Sequence, residues 1–256
     1  MSENSVALVT GGGRRLGAAM VETLHADGMN VIIHYLSSDI EAYNLKNKLE
    51  NVRTGSVFLV RGDLSHPSIP EEIISNAIAH FGRLDLLVNN ASTFYPTLLG
   101  NTSIEQFNDL IGTNVKAPYF LSQAAANHLM SSNGSIVNIA DIYAHRPLKS
   151  HSVYSAAKAA LLSLTRSLAY ELAPSVRVNA IAPGFFLAEQ NRALLTNPDG
   201  SLTARGETII KNTPFARFGS SEELVSAPCL CKQLAQEMCL AWPTFGCRLG
   251  AAHTRQ

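Results

Sequence analysis

The stretch VYSAAKAAL, residues 153 to 161, sets a phenol and an ammonium four positions apart in a run of alanine and leucine. In a helix, residues at i and i+4 lie one above the other, so Tyr154 and Lys158 can act on one bound molecule. A phenol with a pKa of about 10 is a poor acid-base catalyst at neutral pH, and a neighbouring ammonium is expected to stabilise its phenolate and bring it toward the working range. Thirteen residues before the tyrosine stands Asp141, in NIADIYAHRPLKSHSVYSAAK. A carboxylate at that distance along the chain can hold or relay a proton, or simply begin a turn.

A second group of residues binds rather than reacts. TGGGRRLG, residues 10 to 17, lies between a short apolar run and a helical stretch. Glycines there let the backbone turn tightly and approach a pyrophosphate, whose charge is favoured by a helix N-terminus. The spacing is not GxGxxG: Gly11 and Gly17 remain, and Arg15 stands where a middle glycine would be expected. The next apolar run ends in HYLSS, residues 34 to 38, without the acidic residue that would bond a ribose 2′-hydroxyl. Arg14, His34, Ser37 and Ser38 supply donors instead, which favours NADPH over NADH. Asp63 and Leu64 are candidates for the adenine edge.

These residues sit in a regular framework. Short apolar runs at 6 to 10, 30 to 35, 56 to 60, 84 to 90, 134 to 140 and 176 to 182 alternate with helical stretches near 15 to 27, 39 to 50, 69 to 81, 103 to 131 and 152 to 172. That alternation predicts βαβ units, hence an α/β fold with a doubly wound parallel sheet in a single domain. The 256 residues suit one core. With 46% hydrophobic and 16% charged residues and a formal charge of zero, the chain carries no basic field for nucleic acid. Its N-terminus has no basic segment ahead of an apolar run, and no apolar stretch approaches the roughly 18 residues of a membrane span. A cytoplasmic protein acting on a small molecule is expected.

After about Val225 the pattern fails. Residues 225 to 256 hold all four cysteines, between Cys229 and Cys247, and the only tryptophan. Their spacing does not suit zinc, so no metal is expected and reduced thiols are the better reading. No seventh strand is convincing there. The segment is a different partner surface, a poorly ordered tail or a stretch from an alternative exon or frame, and the residues do not choose among these.

Taken in order, TGxxxRLG, the NNA at 89 to 91, Asn114, YxxxK at 154 to 158 and APG at 182 to 184 resemble the short-chain dehydrogenase/reductase family over residues 5 to about 224. The resemblance implies a Rossmann-type sheet binding NADP in residues 1 to 224, Tyr154 as proton donor, Lys158 on the nicotinamide ribose, and Asn114 with Asp141 completing the catalytic set. It places the cofactor against Gly11, Arg14, Arg15, Leu16 and Gly17, against His34, Tyr35, Ser37 and Ser38, and against Asp63 and Leu64. Asn90, Ala91 and Ser92, Lys158, and Pro183 with Gly184 complete that surface. Relatives usually carry a serine where Asp141 stands. This departure, RRLG, HYxxS after the second strand and NNASTFYPT at 89 to 97 together resemble the pteridine reductases. That likeness implies substrate contacts at Ser92, Phe94, Asp141 and Tyr154, with Phe94 stacking a flat pterin ring.

Two stretches resemble other things. PGFFLAEQNRALLTNPDGSL, residues 183 to 202, is the expected lid and looks more like those of reductases acting on sugar acids, with Glu189, Gln190, Asn191 and Arg192 offering polar contacts. The tail lacks the family's usual last helix, strand and glycine turn, which would weaken the homo-oligomer the family leads one to expect. The alternatives to an NADPH-dependent reductase of dihydropteridine or dihydrofolate-like substrates are therefore a short-chain oxidoreductase of a sugar acid or other carbonyl or alcohol, and a catalytically weak NADP-binding isoform.

Overall fold

The computed structural model of the chain describes residues 5–187, 189–220, 223, 225 and 239–242. Six apolar runs form the strands β1 (Val6–Val9), β2 (Asn30–Tyr35), β3 (Val57–Arg61), β4 (Leu86–Asn89), β5 (Ser135–Ile139) and β6 (Arg177–Pro183). The helices between them are α1 (Arg15–Ala26), α2 (Asp39–Glu50), α3 (Ile69–Phe81), α4 (Ile104–Ile111), α5 (Ala117–Ser132) and α6 (Ser152–Glu171), followed by α7 (Glu189–Leu195) and α8 (Ala204–Lys211). All strands run parallel in the order β3-β2-β1-β4-β5-β6-β7, the last being Cys239–Trp242.

Strand β7 lies beside β6, in the stretch where the sequence offered no convincing seventh strand. It pairs in register from Ala180↔Cys239 to Pro183↔Trp242. Main-chain hydrogen bonds make that ladder, and four residues with no β-branched member and no alternation give it no signature in the side chains. Val225 is also buried among strand residues of the core. Cys229, Cys231 and Cys247 and most of the remaining tail lie outside the described residues, so the expectations about thiols and tail order fall there.

Alternate residues of each strand feed two cores, as a sheet buried on both faces requires. Ala7, Val9, Val31, Ile33 and Val88 join Met20, Leu24, Ala42 and Leu45 of α1 and α2 on one face. Val6, Leu8, Ile32 and Leu87 join Ile73, Ala77, Leu121, Ala125 and Leu168 of α3, α5 and α6 on the other. Between β1 and β4 the strand order reverses, and ligands of such sheets bind at the carboxyl ends flanking that point. Among the described residues no helix is long and apolar enough to cross a membrane.

The helix expected at 103 to 131 is interrupted. Ser103 starts it with a capping box, its hydroxyl accepting from the Gln106 N–H while Gln106 accepts from the Ser103 N–H. A π-helical turn, Gly112–Lys116, then separates α4 from α5. Pro118 has no N–H to offer the Asn114 carbonyl, so the ordinary i to i+4 bond is absent at that point.

Candidate active site

At the reversal point lies a cleft of about 620 Å³. Its floor is the loop between β1 and α1. Gly11 has φ +61°, a left-handed conformation that glycine adopts without strain, and Arg15 takes the same region at φ 54°. A Cβ on Gly17 would collide with the Gly11 carbonyl and the Asn90 side chain, so helix α1 can begin against the loop only with glycine there. Thr10 ties the loop to β4: its hydroxyl accepts from the N–H groups of Asn90 and Ala91 at 2.9 and 3.0 Å, and Asn90 Nδ2 donates to the Thr10 carbonyl at 2.9 Å. Gly11, Arg14, Arg15, Leu16 and Gly17 all line the cleft, as do Asn90, Ala91 and Ser92. This cradle, which a side chain would fill, fits a dinucleotide pyrophosphate at the start of α1.

The end of β2 forms the adjoining wall, with His34, Tyr35, Ser37 and Ser38 facing Asp63 and Leu64. Arg14 and Ser37 stand exposed there, whereas His34 and Ser38 are buried. His34 differs from the expectation of a donor to a 2′-phosphate. Its Nδ1 accepts from the Gly11 N–H at 3.2 Å and its Nε2 donates to the Gly62 carbonyl at 3.0 Å, so both ring nitrogens are spent on backbone. Burial lowers its pKa to about 4, against the Gly62 carbonyl and the Asp63 charge, which favour the cation. Asp63 accepts from the Ser65 N–H at 2.9 Å, a bond that holds its carboxyl below the usual range and keeps it ionised.

The reactive end gathers Asp141, Tyr154 and Lys158. Helix α6 buries Tyr154, Lys158, Leu161, Thr165 and Leu168 along one face, and Asn138 of β5 holds it to the sheet by donating to Thr165 Oγ1 at 2.9 Å. Asp141 follows β5 and divides its two oxygens. Oδ1 accepts from the Tyr143 N–H at 2.9 Å, capping the short 3-10 turn Ile142–Ala144, and Oδ2 accepts from the Tyr154 hydroxyl at 2.8 Å. Beginning a turn and facing the tyrosine are thus one arrangement.

The electrostatics reverse one expectation. Burial and then the Asp141 carboxylate push the Tyr154 phenol well above its usual pKa, rather than the ammonium drawing it down. Lys158 Nζ donates to the Ile139 carbonyl at 2.9 Å and lies 5.7 Å from the Tyr154 ring centroid. Burial lowers Lys158 to about 8, against the Asp141 charge, which raises it. Asp141 is itself raised by burial, against the Tyr143 N–H, the Tyr154 hydroxyl and Lys158. The Tyr154 hydroxyl and the Asp141 carboxyl, 2.8 Å apart, are both pushed toward their protonated forms.

Around this pair, Asn114 does not line the cleft but supports it. Its Nδ2 donates to the carbonyls of Leu110 and Thr93, and its Oδ1 accepts from Ser92 Oγ at 2.7 Å. Phe94 lies edge-on to Tyr154 with centroids 4.7 Å apart and stacks on His151 at 4.8 Å and 16°. Pro183 and Gly184 line the opposite wall with Phe186. In the expected lid, Asn191 donates to the Phe186 carbonyl at 2.8 Å, and neither it nor Arg192 lines the cleft. The side chains of Glu189 and Gln190 lie outside the described residues.

Sequence reading missed Thr93, Asp109, Thr113, Ile139 and Ala140 of the cleft wall, and His151 and Tyr143 beside it. Asp109 lies on α4, one turn and a half before Asn114 of the π turn, and its spacing gave no signal. It accepts the Tyr95 hydroxyl at 2.7 Å, which with burial pushes that phenol up to about 12.

Comparison with known proteins agrees with this geometry. A family profile described as short chain dehydrogenase matches residues 5–199. Pteridine reductase 1 of Leishmania tarentolae is 36% identical over 86% of this chain and 87% of its own. An uncharacterized oxidoreductase of Mycobacterium tuberculosis is 34% identical over 88% of this chain and 84% of its own. A 3-oxoacyl-[acyl-carrier-protein] reductase of Salmonella typhimurium is 33% identical over 88% of each.

Proposed function

The chain belongs to the short chain dehydrogenase family, and from that premise we propose that it is an NADPH-dependent reductase of a pteridine-type substrate. The observation that carries the substrate class is the Asp141–Tyr154 hydrogen bond, a carboxylate where a serine is usual in the family. A relative that is a pteridine reductase supports it. The cofactor reading is supported by the glycine cradle and by Arg14 and Ser37 at the end of β2, with no acidic residue between His34 and Ser38. Homo-oligomeric assembly and a cytoplasmic location go with the same reading.

NADPH bound in the cleft would supply the hydride. The first turn of α1 and the loop at Gly11 would hold its pyrophosphate, Asp63 and Leu64 its adenine end, and Lys158 its nicotinamide ribose. Phe94, whose ring stacks on His151 and does not line the cleft, would offer a flat heterocycle only its remaining face, and Ser92, fixed by Asn114, would offer a hydroxyl beside it.

The proton comes from the pair. Tyr154 giving up its proton alone would leave a phenolate beside a carboxylate, which burial and charge both oppose. With Asp141 protonated, its proton moves to the Tyr154 oxygen as the Tyr154 proton moves to a substrate nitrogen. The pair then ends as carboxylate and neutral phenol, and no phenolate forms. Hydride and proton together account for the two hydrogens added.

The test is NADPH consumption with a panel of a 7,8-dihydropteridine, dihydrofolate, a keto sugar acid and a 3-oxoacyl thioester. Turnover of the dihydropteridine above the others is expected. Turnover of the sugar acid or thioester alone would move the assignment, and NADPH binding without turnover of any would favour the catalytically weak reading.

A further inference from the structure

His34 faces the cofactor cleft, yet its ring is 2% exposed and both nitrogens are engaged. The Gly11 N–H can only donate, so Nδ1 accepts and the ring proton sits on Nε2, directed at the Gly62 carbonyl. One imidazole therefore joins two loops that are 51 residues apart in sequence and both line the cleft. Gly11 belongs to the pyrophosphate loop. Gly62 leads into Asp63 and Leu64.

The main chain around it serves the same two loops. The His34 carbonyl accepts from the Gly12 N–H at 2.8 Å, and the Tyr35 carbonyl accepts from the Gly62 N–H at 3.1 Å. Those bonds any residue could make. The bridge through the ring requires a side chain with an acceptor and a donor on opposite sides, at the reach of imidazole. Gly11 in turn abuts Gly17, so its position sets the start of α1. A shift at Gly11 moves the amides that face an anion at that helix end.

We infer that His34 is a positioning residue of the cofactor site: a neutral imidazole that fixes the span between the pyrophosphate loop and the adenine-side loop without touching the cofactor. The inference rests on the cofactor reading above and not on the identity of the second substrate. It removes His34 from the donors for a 2′-phosphate and leaves Arg14 and Ser37 as the exposed ones.

The test is NADPH fluorescence titration of the full chain. His34→Phe keeps a ring and loses both bonds, whereas His34→Asn keeps a carbonyl that can stand at the Nδ1 position. The phenylalanine variant should bind NADPH about tenfold more weakly, the size expected when a buried donor loses its partner. The asparagine variant should recover much of that loss. In turnover, the loss should fall on KM for NADPH rather than on kcat, a split that mere core filling would not produce. NADPH affinity of His34→Phe within about twofold of wild type would overturn the inference. If that variant does not fold, His34→Asn against His34→Leu decides it: tighter binding by asparagine supports the bridge, and equal binding overturns it. Wild-type chain that binds neither NADPH nor NADH would overturn this inference and the cofactor reading together. Binding of NADH alone would overturn only the coenzyme preference, and the same comparison run with NADH would still decide the role of His34.

Discussion

The chemistry turns on three buried groups whose charges depend on one another. The Asp141 charge holds the Lys158 ammonium up against burial, so the two titrate together. In the proposed relay Asp141 must carry a proton, and burial raises its pKa, so the protonated fraction falls as pH rises through that raised value. The rate of the proton-transfer step should therefore decline with rising pH, and decline again near pH 8 as Lys158 loses its charge. In Asp141→Ser the first decline should vanish and the second should move to lower pH, because the carboxylate that stabilised the ammonium is gone. A pH profile of kcat for both proteins checks this. Phe94 belongs to the same scale. Losing its stacking face in Phe94→Ala should raise KM for a dihydropteridine about tenfold, beyond which stacking has little to give. KM for NADPH should stay near wild type. Tyr154 and Lys158 were legible from spacing, because a helix fixes which side chains share a face, whereas Asp141 stands ahead of the helix and was legible only through the resemblance. The direction of the Tyr154 shift was not, because burial depth and the 2.8 Å approach of a carboxylate are tertiary facts.

The elements act by bringing loop ends within reach of one another. The alternation of apolar runs and helices foretold six strands and the principal helices, since a parallel sheet buried on both faces leaves continuous apolar runs. Strand β7 escaped because its pairing is made by backbone alone. The π turn at Gly112–Lys116 escaped because it arises from Pro118 and from the Asn114 side chain bonding the Leu110 carbonyl inside a longer helical pattern. Where α1 meets its loop, the sequence was explicit. Gly17→Ala would drive a methyl group into the Gly11 carbonyl, so the variant should lose NADPH binding by titration while keeping the far-UV helical signal of the remaining elements. Binding at wild-type affinity would mean that the loop holds no pyrophosphate.

Across the whole molecule, burial keeps the imidazole that ties the cofactor loops together uncharged. His34 has a pKa of about 4 in the folded chain against an ordinary 6.5, so between these values the unfolded chain binds more protons. Stability should therefore be fully present above about pH 6.5 and fall as pH drops toward 4, by as much as about 3 kcal/mol from this residue. Thermal unfolding at pH 7 and pH 5 should show a smaller difference in His34→Phe than in wild type. The two cores and the seven-stranded sheet supply the rigidity on which such placement depends. The central claim, that a carboxylate and a phenol together protonate a pterin, is tested most directly by single-turnover reduction of a 7,8-dihydropteridine by preformed wild-type and Asp141→Ser complexes with NADPH. The account predicts that the variant binds NADPH within a few-fold of wild type but reduces the pterin at least about a hundredfold more slowly, the range of a lost acid-base group. Equal rates in the two proteins would contradict it.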